Sequence, residues 1–192
     1  MEIPESRPPR QFETRRLVLR RARPDEAHLL RDAVDSSLEH LRAWMPWAMN
    51  EPITLDETKA RLAKSIEEFE RGETFAYNLF PRGREELLGS IGLHRRSEPG
   101  TLEMGYWIRE SAAGQGFVTE AAAVLARAAL SLGGIECVTI ECDPRNAASV
   151  RVAEKLGFVF VERRSGDKRT PRGEPRDTLV FECRDPETLP EP

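Results

Sequence analysis

Residues 103–120 read Glu-Met-Gly-Tyr-Trp-Ile-Arg-Glu-Ser-Ala-Ala-Gly-Gln-Gly-Phe-Val-Thr-Glu, and this stretch combines two kinds of local pattern. Residues up to Ile108 are typical of a β-strand, whereas from Val118 onward the apolar residues follow the period of a helix. The sequence Gly114-Gln-Gly116 lies between the two patterns. The stretch therefore predicts a strand that enters a helix through a glycine-containing turn.

A strand, turn and helix in this order favour an anion-binding site. The first N–H groups of a helix have no partner within it, and with the positive end of the helix dipole they attract phosphate. Glycines let the backbone approach such a ligand because they have no Cβ. The turn is not a Rossmann fingerprint, since Thr119 stands at the place of the third glycine, and it lacks the Gly-Lys-Ser/Thr of a P-loop. Taken alone, it also fits a plain connection.

A second segment, residues 143–158, begins a helix immediately after an apolar strand and reads Asp-Pro-Arg-Asn-Ala-Ala-Ser-Val-Arg-Val-Ala-Glu-Lys-Leu-Gly-Phe. At this spacing the two segments together resemble the GNAT family of acyl-CoA N-acyltransferases. The matching positions are Gly114, Gly116, Asn146, Ser149, Glu154, Lys155, Gly157 and Phe158. Residues 12–20, 41–48 and 103–108 are similar to the RimJ/RimL-type branch, which acetylates protein N-terminal amines.

Three positions depart from the family pattern. The family often has Gln or Arg at the place of Ala113, Ala or Gly at Val118, and Tyr at Ala153. Backbone amides bind the phosphate, so the first two changes cost little, although Val118 could crowd the turn. The third removes the commonest group for protonating the leaving thiolate.

The resemblance implies one α/β domain over residues 12–183: a mixed, mostly antiparallel seven-stranded sheet flanked by helices, with splayed central strands that bind acetyl-CoA. It makes acetyl-CoA the co-substrate. Its expected binding residues are Ile108, Arg109, Gly114, Gln115, Gly116, Phe117, Val118, Thr119 and Asn146. Residues 1–11 and 184–192, rich in proline and charge, are expected to be loose tails.

Acyl transfer from a thioester to an amine needs a base, an acid and a donor for the oxyanion. Glu103 matches the position of the family's catalytic or water-ordering glutamate; it could also be an ordinary exposed strand residue. Ser149, the third residue after the Asn146 cap, is the candidate acid, or it makes a local hydrogen bond at the helix start. A backbone N–H near Ile108 and Arg109 is the expected oxyanion donor.

Trp44 and Trp47 flank Pro46 in a short element where the resemblance places acceptor specificity, and either indole could instead be core. The predicted function is N-acetyl transfer to a primary amine, foremost a protein N-terminal α-amine. Transfer is direct in a ternary complex, because neither a nucleophilic cysteine nor a Ser-His pair is evident. The alternatives are a small-molecule amine or an aminoacyl-nucleotide-like antibiotic as acceptor, a catalytically silent acyl-CoA sensor, or a nucleotide-binding regulatory module.

Composition limits the other possibilities. The chain has 192 residues, 39% hydrophobic and 32% charged, with a net charge of −4, which is typical of a globular protein and too acidic for a dedicated nucleic-acid binder. Its longest apolar run is far too short to span a membrane, and no secretion signal is visible, so we expect a cytoplasmic protein. The three cysteines are expected to be buried thiols, with no metal site.

Partners follow from the same observations. The resemblance implies an amine acceptor, with a ribosomal protein as one candidate, and a homodimer is a further expectation. Arginines cluster in residues 7–23 and 163–176. They are expected to be solvated faces, with docking of an anionic ligand or of ribosomal RNA as the alternative.

Overall fold

Eight strands form one sheet in the order β1-β2-β3-β4-β5-β6-β8-β7 in the computed structural model, which describes residues 7–96 and 98–191. The strands are β1 (Gln11–Glu13), β2 (Leu17–Arg21), β3 (Thr74–Pro81), β4 (Gly89–Arg95), β5 (Thr101–Ile108), β6 (Cys137–Cys142), β7 (Val159–Arg169) and β8 (Pro175–Cys183). Every neighbouring pair is antiparallel except β5 and β6, which are parallel. The mixed, mostly antiparallel sheet is confirmed.

The α-helices are α1 (Ala27–Asp35), α2 (Leu38–Arg42), α3 (Leu55–Arg71), α4 (Phe117–Leu130) and α5 (Ala147–Lys155). Thr54 caps α3 by accepting a hydrogen bond from the N–H of Glu57, and Gly72 ends it with a φ of 72°. Asn146 caps α5 through its side-chain oxygen, as predicted. Within the described residues, no helix is long and apolar enough to cross a membrane.

Helices cover both faces of the sheet and form two hydrophobic cores. On one face, small residues of α4 such as Ala122 and Ala126 pack against Leu102 and Met104 of β5. On the other face, α1 to α3 enclose a smaller core around Phe80. The three cysteines are buried and free, as predicted. Since alternate residues of β5 face different cores, the strand carries side chains to both sides of the sheet.

The sheet has one strand more than the seven predicted. Gln11–Glu13 pairs with β2, with Phe12 opposite Leu19. Three residues among charged neighbours give too little alternation to predict a strand from sequence. Residues 7–11, predicted as part of a loose tail, are instead held to the domain: the Tyr77 hydroxyl donates to the carbonyl of Pro9 at 2.7 Å, and Arg10 pairs with Glu70. The rest of that predicted tail, residues 1–6, lies outside the described residues.

The expected C-terminal tail is also wrong for the residues described. Leu189 is buried in the larger core, and Arg127 of α4 donates to the carbonyl oxygens of Leu189 at 2.6 Å and Pro190 at 3.0 Å. A single leucine between prolines has no periodic pattern, so its burial cannot be predicted from the sequence. The burial depends on the path of the chain after β8, which passes over α4. The domain limits of 12–183 remain a prediction.

Strands β5 and β6 separate after four residue pairs. Their parallel pairing runs from Thr101 opposite Cys137 to Met104 opposite Ile140, whereas β5 continues to Ile108 and β6 to Cys142. The last four residues of β5 therefore have no strand partner on that side. The predicted splay of the central strands is present, and it opens the middle of the sheet.

Candidate active site

Two cavities open where β5 leaves β6. The first, here called the cradle cavity, has a volume of about 290 Å³ and is bounded by the turn residues Gly114 and Gly116, the start of α4, and Arg151 and Lys155 of α5. The second, called the acidic cavity, has a volume of about 210 Å³ and is lined by the carboxylates Glu103, Glu141 and Asp143.

The two cavities meet at a small set of shared lining residues. These are Trp44, Met45, Tyr106, Asn146 and Ser149. A ligand in one cavity and a ligand in the other would therefore approach each other beside α5 and the unpaired end of β5. Such a junction can bring two substrates together for a direct reaction.

The turn between β5 and α4 has the geometry that the sequence predicted. Gly114 and Gly116 have φ values of 75° and 81°, which L-residues with a side chain rarely adopt. Gly116 is the N-cap of α4, and no side chain caps its first N–H groups. Gly114, Gly116, Phe117, Val118 and Thr119 all line the cradle cavity. The free N–H groups of the helix start thus face a cavity large enough for a ligand.

Arg109, expected among the cofactor-binding residues, is not brought to the cradle cavity. Its guanidinium pairs with Glu86 at 3.0 Å and with Asp32, which ties the end of β5 to α1. Gln115 is exposed, and its side chain donates to the carbonyl of Ser111 at 2.9 Å, so it contributes to the turn only through its backbone. Sequence spacing places a residue near a turn, but ion pairs from distant elements decide where its side chain points.

Only one of the two backbone amides considered for the oxyanion is available. The N–H of Arg109 donates to the carbonyl oxygen of Leu88 at 2.6 Å. Backbone N–H groups alternate in direction along a strand, so the N–H of Ile108 points away from β4 and toward the splay. Ile108 lines the cradle cavity close to the junction. The expectation for Arg109 is wrong, and the amide of Ile108 remains the candidate donor.

Ser149 stands at the junction in contact with a residue that the sequence analysis missed. Its Oγ lies 2.7 Å from the hydroxyl oxygen of Tyr106, while its backbone N–H donates to the Asn146 cap at 3.1 Å. The side chain is therefore not used at the helix start. Burial raises the pKa of Tyr106 well above its usual value, and the hydrogen bond to Ser149 opposes this only in part. Tyr106 keeps its proton and can donate it to Ser149.

Glu103 lines the acidic cavity from the other face of β5. Met104 is the last paired residue, so the cavity reaches around the free edge of the strand and meets side chains from both faces. Glu103 accepts a hydrogen bond from Arg96 at 2.6 Å. Burial opposes the charged form, but the hydrogen bond and charge of Arg96 outweigh it and hold the pKa of Glu103 below its usual range. Glu103 is therefore a carboxylate with a counterion, not an ordinary exposed glutamate.

The other carboxylates of the acidic cavity also have cationic partners. Glu141 pairs with Arg164 at 3.0 Å and with Lys168, and Asp143 pairs with Arg145 at 2.8 Å. Arg176 lines the same cavity and has no carboxylate within ion-pair distance among residues 7–96 and 98–191. No cluster of three or more metal-ligating side chains occurs within those same ranges. The cavity thus offers carboxylates and one cation without a partner.

The two tryptophans considered as an acceptor wall are separated by the fold. Trp44 lines both cavities at the junction. Trp47 packs edge-on against Trp107, with ring centroids 5.8 Å apart, and lines a separate cavity beside α3. The structure therefore brings Trp44 but not Trp47 to the junction, because the turn at Pro46 directs Trp47 toward the smaller core.

Arg151 was also missed, and Lys155 was named as a family match but not as a site residue. They are exposed, line the cradle cavity and have no ion-pair partner among the described residues. Their spacing could have identified them, because residues four positions apart lie on the same face of a helix. On α5 that face borders the cradle cavity. Cations beside a cavity with free N–H groups fit a phosphate-bearing ligand.

Comparisons with known proteins identify the family of the chain. Residues 16–159 match the family model described as "Acetyltransferase (GNAT) domain". The chain is 28% identical over 124 residues to the ribosomal-protein-serine acetyltransferase of Escherichia coli (strain K12), covering 62% of this chain and 68% of the relative.

Solved structures share the fold over nearly the whole chain. RimL, a ribosomal L7/L12 alpha-N-protein acetyltransferase in complex with coenzyme A, has a TM-score of 0.80 at 23% identity, covering 88% of this chain and 94% of that one. The microcin C7 self-immunity acetyltransferase MccE, in complex with acetyl-CoA and AMP, has a TM-score of 0.82 at 16% identity, covering 90% and 94%. With the family model matching three quarters of its length, the chain belongs to the GNAT family of acetyltransferases and is an acetyl-CoA-dependent N-acetyltransferase.

Proposed function

We propose that this enzyme transfers the acetyl group of acetyl-CoA to the α-amine of a protein N-terminus, with both substrates bound at once. The observation that carries the proposal is the Ser149–Tyr106 pair at the junction of the cradle and acidic cavities. One cavity suits a phosphate-bearing thioester, and the other offers Glu103 as an acceptor for the proton of an amine. The reacting atoms would meet at the pair.

The residues of the cradle cavity fit acetyl-CoA. The turn at Gly114 and Gly116 would take the pyrophosphate on free N–H groups, and Arg151 and Lys155 would take a further phosphate. Asn146 lines both cavities and would border the arm that leads to the thioester. Phe117, Val118 and Thr119 complete the wall at the start of α4.

The chemical roles follow from positions at the junction. The amine nitrogen attacks the carbonyl carbon of the thioester, and the carbon–sulfur bond breaks. The N–H of Ile108 faces the carbonyl oxygen as it gains negative charge. Ser149 donates a proton to the leaving thiolate and is supplied by Tyr106, while Glu103 receives the proton of the amine, directly or through water. The products are the acetylated amine and coenzyme A with a free thiol.

Direct transfer is supported by the state of the nearest cysteine. Cys142 lines the acidic cavity, but burial raises the pKa of its thiol, and the opposing effects of Ser149 and Arg176 are smaller. The thiol is therefore protonated at neutral pH and is a weak nucleophile. An acetyl group passed through this cysteine is disfavoured.

The acceptor follows from the basicity of amines. An α-amine with a pKa of about 7.7–8.0 is roughly 10–20% neutral at pH 7, whereas a lysine with a pKa of about 10.4 is neutral at well below 0.1%. Glu103, with its pKa held low by Arg96, suits an amine that is already partly neutral. A ribosomal protein is the first candidate acceptor, since the E. coli relative is named for that substrate.

A second candidate acceptor is a small amine that carries an anionic group. Arg176, without a carboxylate partner in the described part of the chain, faces the acidic cavity and could bind a phosphate or carboxylate there. An aminoacyl-nucleotide-like antibiotic has this chemistry, and the similarity to MccE favours keeping it as the alternative.

The deciding experiment is a screen of free-thiol release from acetyl-CoA with N-terminal peptides, aminoacyl nucleotides and small amines. Preference for peptides supports the proposal, and preference for the nucleotides supports the second candidate. If no acceptor class gives any release of free thiol, and coenzyme A still binds tightly, the protein is a silent acyl-CoA sensor. Reactions without enzyme are the control for non-enzymatic acetylation, and Ser149→Ala shows whether the release depends on the proposed site.

We further propose a cytoplasmic enzyme that binds neither membranes nor nucleic acids as its main partners. A homodimer is part of the proposal. Val159, Phe160 and Val161 are exposed on the outermost strand β7, where an unpaired strand edge can associate with another copy. Sedimentation analysis tests this point independently of activity.

A further inference from the structure

Arg16, which precedes β2, contacts three consecutive residues of the glycine turn. Its Nη1 donates to the carbonyl oxygen of Gln115 at 2.9 Å, and its guanidinium carbon lies 4.6 Å from the centre of the Phe117 ring. Its Nη2 lies 3.4 Å from the point where a Cβ on Gly116 would stand. A side chain that lies 99 positions before Gln115 thus contacts the turn and the first residue of the helix that follows it.

A buried carboxylate fixes Arg16 in this position. Glu120, in the first turn of α4, accepts hydrogen bonds from Nε of Arg16 at 2.6 Å, from the backbone N–H of Arg16 at 2.9 Å and from the hydroxyl of Thr14 at 2.5 Å. Only 8% of the Glu120 side chain is exposed. Burial opposes its charged form, but these bonds outweigh it and lower the pKa of Glu120. The carboxylate is charged and rigidly held.

This arrangement resolves an electrostatic conflict. A negative charge in the first turn of α4 stands beside the N–H groups that would receive phosphate, and like charges at close range repel in a poorly solvated site. Arg16 neutralises Glu120 and at the same time donates a hydrogen bond to the carbonyl oxygen of Gln115 in the turn. Without the guanidinium, both the shape and the charge of the turn would change.

We propose that Arg16 is a positioning residue for the phosphates of acetyl-CoA: it sets the conformation of the Gly114–Gly116 turn and offsets the charge of Glu120. Arg16 does not line the cradle cavity, so it acts through the turn and not by touching the ligand. The inference rests on the proposed binding of acetyl-CoA at this turn.

The neighbouring Arg15 provides a matched control. It is exposed, and it makes no ion pair or side-chain hydrogen bond with any other residue in the ranges 7–96 and 98–191. Removing its charge changes the net charge of the protein as much as removing that of Arg16 does. A difference between the two variants therefore reports the contacts with the turn and with Glu120.

The test compares two thioesters that differ in their phosphates. Acetyl-CoA carries the pyrophosphate and nucleotide, whereas S-acetylpantetheine lacks both. We expect Arg16→Met to lower kcat/KM for acetyl-CoA about tenfold or more, with a peptide amine as acceptor, and to leave kcat/KM for S-acetylpantetheine within about twofold. Arg16→Lys should recover part of the loss, and Arg15→Met should change neither value.

Other results would overturn the inference. An equal loss with both thioesters would mean that Arg16 only stabilises the fold, and an unchanged acetyl-CoA value would mean that it does not position the turn. The affinity for coenzyme A, measured by calorimetry, compares the Arg16 and Arg15 variants without an acceptor. If Arg16→Met does not fold, Arg16→Lys is measured in its place. Gly116→Asp separates the two proposals: if it impairs coenzyme A binding while Arg16→Met does not, only the inference about Arg16 fails.

Discussion

The hydroxyl of Tyr106 on β5 lies 2.7 Å from the Oγ of Ser149 on α5, across the gap that opens between β5 and β6. The family pattern often has a tyrosine on α5 itself, at the position of Ala153. Here Ala153 is fully buried against the larger core, where a phenol would not fit. The chain instead brings a phenol to α5 from the neighbouring strand, next to the proposed acid.

Ser149→Ala should lower kcat on the order of 10²-fold while leaving the affinity for acetyl-CoA nearly unchanged, because Ser149 acts on the leaving thiolate and not on the bound ground state. Tyr106→Phe should lower kcat less, since it removes the supply of the proton and leaves the Ser149 hydroxyl. Steady-state kinetics of both single variants and the double variant measure this. A double variant whose loss equals the product of the two single losses would show that the residues do not act as a pair.

Gly116→Asp should abolish coenzyme A binding, because it adds a carboxylate and a Cβ beside the expected pyrophosphate at a φ of 81°. Calorimetry measures the affinity. Gly173, with a φ of 87° in the turn between β7 and β8 and no atom near its missing Cβ, provides the control. Gly173→Asp carries the same strain and charge and should bind normally. If Gly116→Asp binds as tightly as Gly173→Asp, the phosphate site lies elsewhere.

Much of this site could be predicted from sequence because its parts are local. The turn at Gly114 and Gly116 and the cap at Asn146 each depend on a few adjacent residues, and periodicity predicted the strand and helices around them. The Tyr106–Ser149 contact joins residues 43 positions apart. Predicting this contact requires the position of β5 relative to α5 in the fold, which no local sequence pattern contains.

Two expected site residues that the structure does not bring to the junction are displaced for the same physical reason. Arg109 and Trp47 have the residue types that the site needs, and they lie near it in sequence. Their side chains are directed by partners on distant elements: Asp32 on α1 for Arg109, and Trp107 on β5 for Trp47. The hairpin of β7 and β8 continues by backbone pairing to Arg169 opposite Pro175, although its outer half is charged and has no apolar alternation that a sequence pattern could show.

Glu103→Gln should reduce kcat/KM most at low pH, where more of the acceptor amine is protonated and a base is needed. The pKa of Glu103 is held low by Arg96, so the wild-type carboxylate stays charged across the range from pH 6 to 9 and the acid limb of its profile reports the amine. We expect a loss on the order of 10²-fold near pH 6 that shrinks as the pH rises. Glu98→Gln, which changes an exposed glutamate in the loop before β5, is the control. A loss that is independent of pH would assign Glu103 to binding only.

Glu51→Gln should destabilise the fold at pH 7 by about 2–3 kcal/mol, because it removes the charge from a fully buried side chain held by Arg31 and Arg61. Burial opposes the charged form, but the two arginines lower the pKa of Glu51 below 4.5. Its stabilisation is therefore complete above the unfolded pKa and is lost as the pH falls through the folded one. Urea unfolding at pH 7 and at about pH 3 should show a difference between variant and wild type that narrows in acid. A constant difference would contradict the low pKa of Glu51.

Trp44→Ala should change the acceptor KM and Trp47→Ala the stability of the fold, since the two side chains lie at different places. Trp44 lines the junction of the cradle and acidic cavities, so its removal should raise the acceptor KM about tenfold with a small loss of stability. Trp47 packs against Trp107 over the smaller core, so its removal should cost about 3 kcal/mol of unfolding free energy and leave the acceptor KM unchanged. Denaturant midpoints measured alongside KM for the same preparations separate the two effects. A raised acceptor KM in Trp47→Ala at unchanged stability would show that Trp47 contacts the acceptor. A large loss of stability with a normal KM in Trp44→Ala would show that Trp44 is a core residue and does not contact the acceptor.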